Sequence, residues 1–259
     1  MVKFVPLNAT EHGNKSWIRT LGYSFSSRDT LVPVVGGELG AAVCEMPLGF
    51  VRENNEFTLV AILSFKNGIN FYVDGEGRWL GGHVPFILRS YPFRLLHPEG
   101  SSELLLCVDA ESDCIKEGDG GDPLFDAGST PSNSVLQILE ALKRYEAARI
   151  ATNAAVAALA ETKVIVPWSI KVVGGVSEAS VGGIYRIDET ILNQLGDEAF
   201  LKLKSAHALS IAYAQLFSTQ QIGRLGKLAN IHDQLEFQAA ERQRTLAEMF
   251  RLDDGTIPL

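Results

Sequence analysis

The apolar positions of this chain change rhythm near its middle, from short runs cut by turns to long helical repeats. Phe57 to Phe65 (FTLVAILSF) is a nearly continuous apolar run with β-favouring ends, the pattern of a strand buried on both faces. Asn67-Gly68 follows as a tight-turn signal, and Ile69 to Val73 predicts the returning antiparallel strand of a hairpin. Upstream, residues 1–35 form an irregular lead with weak periodicity, and Glu38 to Cys44 predicts a short helix stopped by Pro47. Downstream, Asp74-Gly75-Glu76-Gly77 turns the chain. A helix over about Val84 to Tyr91 follows, with Pro85 in its first turn, where no helical hydrogen bond is lost. Phe93 to Leu96 and Glu103 to Asp109 predict two further strands.

Residues 110–133 are polar and rich in Gly and Asp, a solvated loop or lid and the clearest internal boundary. From Ser134 to Glu161 the positions Val135, Ile138, Leu139, Leu142 and Tyr145 keep helical spacing, and alanines then permit close packing. Val164 to Val173 is strand-like but contains Pro167, which removes a ladder donor and predicts an edge strand or a break. Gly174-Gly175 turns into a second β segment, Gly183 to Ile187, and Asp188 caps the helix after it. The remainder predicts helices over about 189–195, 197–218, 220–229 and 232–250. This is an α+β class: a β-rich, mixed N-terminal half with a hairpin, a long central helix and a helical C-terminal third. The boundary predicts a β-rich region over 1–130 and an α-rich region over 131–259 packed on it, or one domain combining both.

Composition narrows the function. The 259 residues are 46% hydrophobic and carry a net charge of −8. Nucleic-acid binding runs on Lys and Arg displacing counterions from phosphates. The densest basic run, Arg242 to Arg251, is interrupted by Glu241 at its start and Glu248, so no nucleic-acid partner is expected. The N-terminal MVKFVPLNATEHGNK has no apolar stretch of signal-peptide length, and no window reaches ~18 apolar residues, so the expected location is cytoplasmic, with no membrane span. The three cysteines, Cys44, Cys107 and Cys114, have irregular spacing and predict neither a disulfide framework nor a zinc site. Cys44 and Cys107 sit in apolar runs and read as small core residues.

Several segments in order resemble the bacterial SapC family: Pro6-Leu7-Asn8; Phe57 to Phe65 continuing into Asn70-Phe71-Tyr72-Val73-Asp74 and Gly77-Arg78-Trp79; Val84-Pro85-Phe86-Ile87 with Arg89-Ser90-Tyr91-Pro92-Phe93; Cys107-Val108-Asp109; Gly121-Asp122-Pro123-Leu124-Phe125; Gly183 to Glu189; and Ala212 to Ser218. The likeness spans roughly residues 5–230 and fades after Asn230. It implies an association with bacterial surface layers. It also implies genomic neighbours of the flavin-dependent tryptophan-halogenase-like, cupin-like oxygenase and TonB-dependent receptor types. It brings no catalytic residue to this chain.

The best candidate chemistry lies between Asp74 and Tyr91. Asp74, Glu76, Arg78, Trp79 and His83 combine two carboxylates, a guanidinium and an aromatic plate, a set able to hold a peptide or a sugar. The same residues also fit a purely structural turn, with Gly75 and Gly77 at positive φ, Arg78 paired locally and Trp79 capping the core. Arg89 complements a helix C-terminus or forks onto a ligand carboxylate. The candidate ligand-binding residues are therefore Arg78, Trp79, His83, Arg89 and Tyr91. The acidic loop residues Asp113, Glu117, Asp119, Asp122 and Asp126 are in the wrong order for a calcium loop. The five histidines form no metal-spaced pair, and neither a Gly-x-Ser-x-Gly elbow nor a Walker A loop occurs.

The expected function is a non-catalytic binding or accessory protein that works with a peptide, a protein or a modifying-enzyme partner, without cofactor or metal. The alternatives are an enzyme acting on peptides or saccharides around Trp79 and His83, and a structural component of the surface layer. The last helix, with Leu235, Ala239, Leu246 and Met249 among charges, extends the bundle or mediates self-association.

Overall fold

The structure is a computed structural model that describes residues 3–19, 22–97, 103–127, 129–170 and 182–253, with side chains throughout except at 236, 239 and 246–253. The end of the predicted 164–173 strand, the Gly174-Gly175 turn and the side chains of Ala239, Leu246 and Met249 lie outside the described residues. In chain order come β1 (Phe4–Pro6), α1 (Ala9–His12), β2 (Lys15–Trp17), β3 (Leu31–Pro33), α2 (Leu39–Ala42), β4 (Leu48–Glu53), β5 (Glu56–Ile62), α3 (Phe86–Arg89), β6 (Phe93–Leu96), β7 (Leu105–Asp109), β8 (Ile115–Glu117), β9 (Asp122–Pro123) and α4 (Asn133–Glu161). They are followed by β10 (Ile165–Pro167), β11 (Ile184–Ile187), α5 (Glu189–Asn193), α6 (Asp197–Ser205), α7 (Ala208–Ser218) and α8 (Ile222–Asp253). The fold is α+β, with strands concentrated in the first half and helices in the second.

Among the described residues three antiparallel sheets form, ordered β10-β11-β4-β5-β3, β1-β7-β6 and β8-β2-β9. The apolar run at Phe57 supplies β5, but its hairpin partner is not the Ile69–Val73 segment. Both edges of β5 are taken, by β4 on one side and β3 on the other. With no edge left to pair with, the chain after Leu63 turns back. The 69–73 segment forms no ladder with β5 among the described residues: its link back to the strand's end is a Phe71 N–H to Leu63 O bond of 3.2 Å, and Val73 bridges to Trp79. The real hairpin joins β4 to β5 through Asn54-Asn55, at φ 48° and 69°. Two consecutive positive φ values are what a type I′ turn requires, and asparagine tolerates them.

Other departures have equally local causes. The irregular lead holds three strands of three residues each, too short to show an alternation. The polar 110–133 segment contributes β8 and β9, which flank β2. The helix expected over 197–218 is broken into α6 and α7 by His207, which takes a left-handed conformation at φ 55°. The last two predicted helices are one, α8. Cys107 is buried as expected, but Cys44 is exposed. Its neighbours Ala42 and Met46 fill the core instead. Among the described residues no helix is long and apolar enough to cross a membrane.

The main core draws on both halves of the chain, from Val32, Phe50 and Leu63 to Val156, Ile211 and Leu228. Buried polar hooks close it. Gln215 on α7 is fully buried; its Nε2 donates to Leu48 O (3.1 Å) and its Oε1 accepts from Ile187 N–H (2.8 Å). Ser218, one turn on, accepts from Leu48 N–H at 2.9 Å. One helix thereby satisfies backbone groups of both β4 and β11, which would otherwise be left unpaired in an apolar setting. At the other end Ser132 caps α4 by accepting from Val135 N–H, and Pro167 ends β10 at the sheet edge, where its missing donor costs nothing.

Candidate functional site

The turn after Tyr72 is built around Asp74. Its buried carboxylate accepts the backbone N–H groups of Glu76 and Arg78, each at 2.9 Å, and the Arg78 Nε–H at 2.8 Å. Desolvation pushes this carboxyl up, but the bonds from the Arg78 backbone and guanidinium and the Glu76 N–H outweigh it and hold it below the usual carboxylate range. Arg78 also reaches Glu76 at 3.0 Å, so its charge is answered within the turn. Gly77 is the residue that takes positive φ, at 80°; Gly75 does not. A Cβ at Gly77 would fall 2.2 Å from Ser24 Oγ, and its carbonyl accepts from Tyr23 N–H at 2.7 Å. The turn is therefore docked on the lead segment, and that contact places Tyr23.

Trp79 is half-buried. Its ring stacks on Tyr72, with centroids 5.1 Å apart, and meets Tyr23 edge-on at 5.7 Å. Its Nε1–H donates to His83 O at 2.9 Å, which makes the two residues spatial neighbours, as the short Leu-Gly-Gly link requires. The His83 side chain turns inward. Its Nε2 lies 3.7 Å from Glu38 Oε1, buried and without a hydrogen-bond partner among the described residues, as is Glu38 Oε2. Glu38 Oε1 accepts the N–H of Phe86, the first residue of α3. Burial lowers the His83 pKa, and the Glu38 carboxylate opposes this without reversing it.

Arg89 and Tyr91 line a common cleft of about 280 Å³, together with Trp17, Tyr23, Phe25 and Phe86. Arg89 is exposed; its Nε donates to Val84 O at 2.9 Å and its guanidinium carbon lies 5.6 Å from the Phe86 ring centroid. Tyr91 stacks face to face on Phe25 at 3.8 Å, and its hydroxyl donates to Asp109 Oδ2 at 2.7 Å. Desolvation, aided by Asp109 and opposed by a bond with Ser112, pushes the Tyr91 phenol up to about 12, so it stays protonated. The indole Nε1–H of Trp17 is buried and has no acceptor among the described residues. Cys114 also lines the cleft, but none of the lining residues is a histidine that could activate its thiol.

Of the five sequence-predicted site residues, Arg89 and Tyr91 thus share a cleft. Trp79 supports that cleft through Tyr23, Arg78 is held in its turn and His83 is enclosed against Glu38. Trp17, Tyr23 and Phe25 escaped the sequence reading. Their signal was an aromatic cluster in a lead of weak periodicity. Among the described residues no group of three His, Cys, Asp or Glu side chains gathers to hold a metal ion.

No curated protein and no solved structure matches the chain significantly. The SapC family model matches residues 7–225, from within the lead to the first turn of α8. Most of the chain, including every residue of the cleft, lies inside that match, and the chain belongs to the SapC family.

Proposed function

We propose that this SapC-family chain is a non-catalytic binding or accessory protein that takes a short peptide segment, from a partner protein or a modifying enzyme, in the cleft beside α3. The observation that carries this reading is the pairing of exposed Arg89 with the stacked Phe25–Tyr91 rings in one open cleft. Aromatic walls and a guanidinium are the residue types that dominate peptide and protein hot spots. Arg89 keeps N–H donors beyond the one given to Val84 O, and these suit a carboxylate. Among the described residues no nucleophile–base pair lines the same space, which favours recognition over turnover. The location consistent with this reading is the cytoplasm.

The test is a panel of short aromatic-containing peptides, each with a free or an amidated C-terminus, titrated calorimetrically into the full chain. Free-acid peptides should bind more tightly than their amides. Arg89→Ala and Phe25→Ala should each weaken binding by about 2 kcal/mol with an unchanged circular-dichroism spectrum. A panel that binds nowhere, or that binds Arg89→Ala as well as the parent, sinks the reading.

The rival reading, an enzyme acting on peptides or saccharides near Trp79, draws on the His83–Glu38 pair. The enclosure of His83 Nε2 weighs against it, since a general base must reach its substrate.

A further inference from the structure

A second cleft opens on the other side of α3. It measures about 320 Å³, and its walls are mostly apolar: Pro33, Ile87, Leu95, Leu96, Leu104 and Leu142. Arg94, from β6, projects a guanidinium into this setting. Its Nε is buried without a hydrogen-bond partner, and among the described residues no carboxylate makes an ion pair with it. The Phe4 ring lies 5.7 Å from the guanidinium carbon. Burial lowers the Arg94 pKa, yet a guanidinium remains protonated in any protein environment. The fold therefore holds a fixed positive charge in a poorly solvated, apolar-walled space.

The carboxylates nearby do not answer it. Glu146 lines the same cleft but is engaged by Arg149 through two bonds of 2.7 and 2.6 Å. Asp29 feels the Arg94 charge, yet desolvation outweighs that pull and raises its pKa, the reverse of what a close ion pair does. Tyr145, also in the cleft wall, is pushed up to about 12 by burial first and by Glu38 second, so it remains a neutral hydroxyl. Arg94 is half-buried with its Nε buried and unpaired, and such a desolvated donor is costly to leave without a partner, which a bound anion would supply. A space of this size sits at the lower end of small-molecule sites, roughly 300–1,000 Å³, and is too small for a protein surface.

We infer that this cleft binds a small monocarboxylate with an apolar body, its carboxylate paired with Arg94 and its hydrocarbon lying against Ile87, Leu95 and Leu142. The guanidinium matches two carboxylate oxygens through parallel N–H bonds, and the aliphatic walls suit a hydrocarbon body, while the other polar lining residues are His97, Tyr145 and the mutually paired Glu146 and Arg149. This site is separate from the peptide cleft: the residues lining the two do not overlap, and α3 stands between them, with Phe86 facing one and Ile87 the other.

The experiment uses octanoate as probe, with 1-octanol as its uncharged control, on the full chain by calorimetry and thermal melting. Octanoate should bind with saturation and raise the melting temperature, whereas octanol at equal concentration should not. Arg94→Met should weaken octanoate binding at least tenfold and abolish the thermal shift. Leu96→Glu, at a partly exposed wall position, should also weaken it by placing a like charge beside the ligand, and this variant keeps the test alive if Arg94→Met does not fold. Arg89→Ala should bind octanoate as the parent does, whether or not the peptide reading holds. Equal responses to octanoate and octanol, or parental octanoate affinity in Arg94→Met or Leu96→Glu, would overturn the inference.

Discussion

Arg89 and Arg94 stand five positions apart, on opposite sides of the short helix that separates the two clefts, and the chain treats their charges differently. Arg89 keeps its guanidinium in water, spends one donor on Val84 O and rests on Phe86. Arg94 is drawn in among leucines with an unpartnered Nε. The first charge costs the fold almost nothing and gains little until a ligand arrives. The second is a standing desolvation penalty that a bound anion would relieve. The same side chain is therefore a surface anchor in one cleft and a preorganised anion receptor in the other, and burial alone makes the difference.

The largest expected effect breaks one side of this comparison only. Trp79→Ala removes the ring between Tyr72 and Tyr23 and the Nε1–H bond to His83 O, and should cost about 3 kcal/mol in urea unfolding. Peptide binding should fall with it, because Tyr23 loses its backing, while octanoate binding persists. A stability loss below about 1 kcal/mol would show that the aromatic block is not the frame of the Arg89 cleft.

Next in size is Arg94→Met. Replacing the half-buried guanidinium, whose Nε is left unpaired, by an apolar side chain of similar length should raise the stability of the ligand-free protein by about 1 kcal/mol. A destabilised variant would mean that the guanidinium is already satisfied, and the contrast between the two arginines would collapse.

A pH effect bears on the wall common to both clefts. Glu38, facing His83, accepts the N–H that opens α3. The folded pKa of His83 is lowered by burial, with Arg89 adding to this and Glu38 and Glu45 opposing. Between that lowered value and the ordinary value near 6.5, the unfolded chain binds more protons than the folded one, so stability should fall as pH drops below about 6.5. His83→Gln should flatten this part of the profile in pH-dependent denaturation. An identical slope in the variant would remove His83 as its cause. The carboxylate of Asp74, with its lowered folded pKa, adds a separate loss that sets in below the normal carboxylate range.

The smallest stability effect is expected for Arg89→Ala, within about 0.5 kcal/mol, because the side chain is exposed and answers no buried charge. Its whole consequence should appear in peptide affinity. A clear loss of stability would place Arg89 in the structural frame, beside Arg78.

The segments that carry the family resemblance hold largely structural groups. Asp74 organises its turn, Asn70 bonds Ser26 O and Tyr72 N–H, Asp109 receives the Tyr91 hydroxyl, Asp188 caps α5, and Gln215 and Ser218 pin α7 to the sheet. These are polar groups that satisfy buried backbone and each other. They say how the chain folds, and the clefts emerge between them.

Local physics made part of this protein legible from sequence alone. Pro92 and the Phe93–Leu96 segment marked β6, Asp188 marked the start of α5, the 3.6-residue repeat marked α4, and Pro167 marked an edge strand or a break. Each depends on neighbours within a few residues, through fixed φ, a cap or a helical face. Which strand pairs with β5, which aromatic backs Arg89 and whether Arg94 meets a carboxylate depend on residues dozens of positions away. Asn67-Gly68 carried a sound turn signal, yet the hairpin formed at Asn54-Asn55 because β4 and β3 had occupied both edges of β5. The sequence marks Arg89 and Arg94 as equal charges; only the tertiary fold, by placing one in water and the other among leucines, gave them unequal solvation and hence different roles.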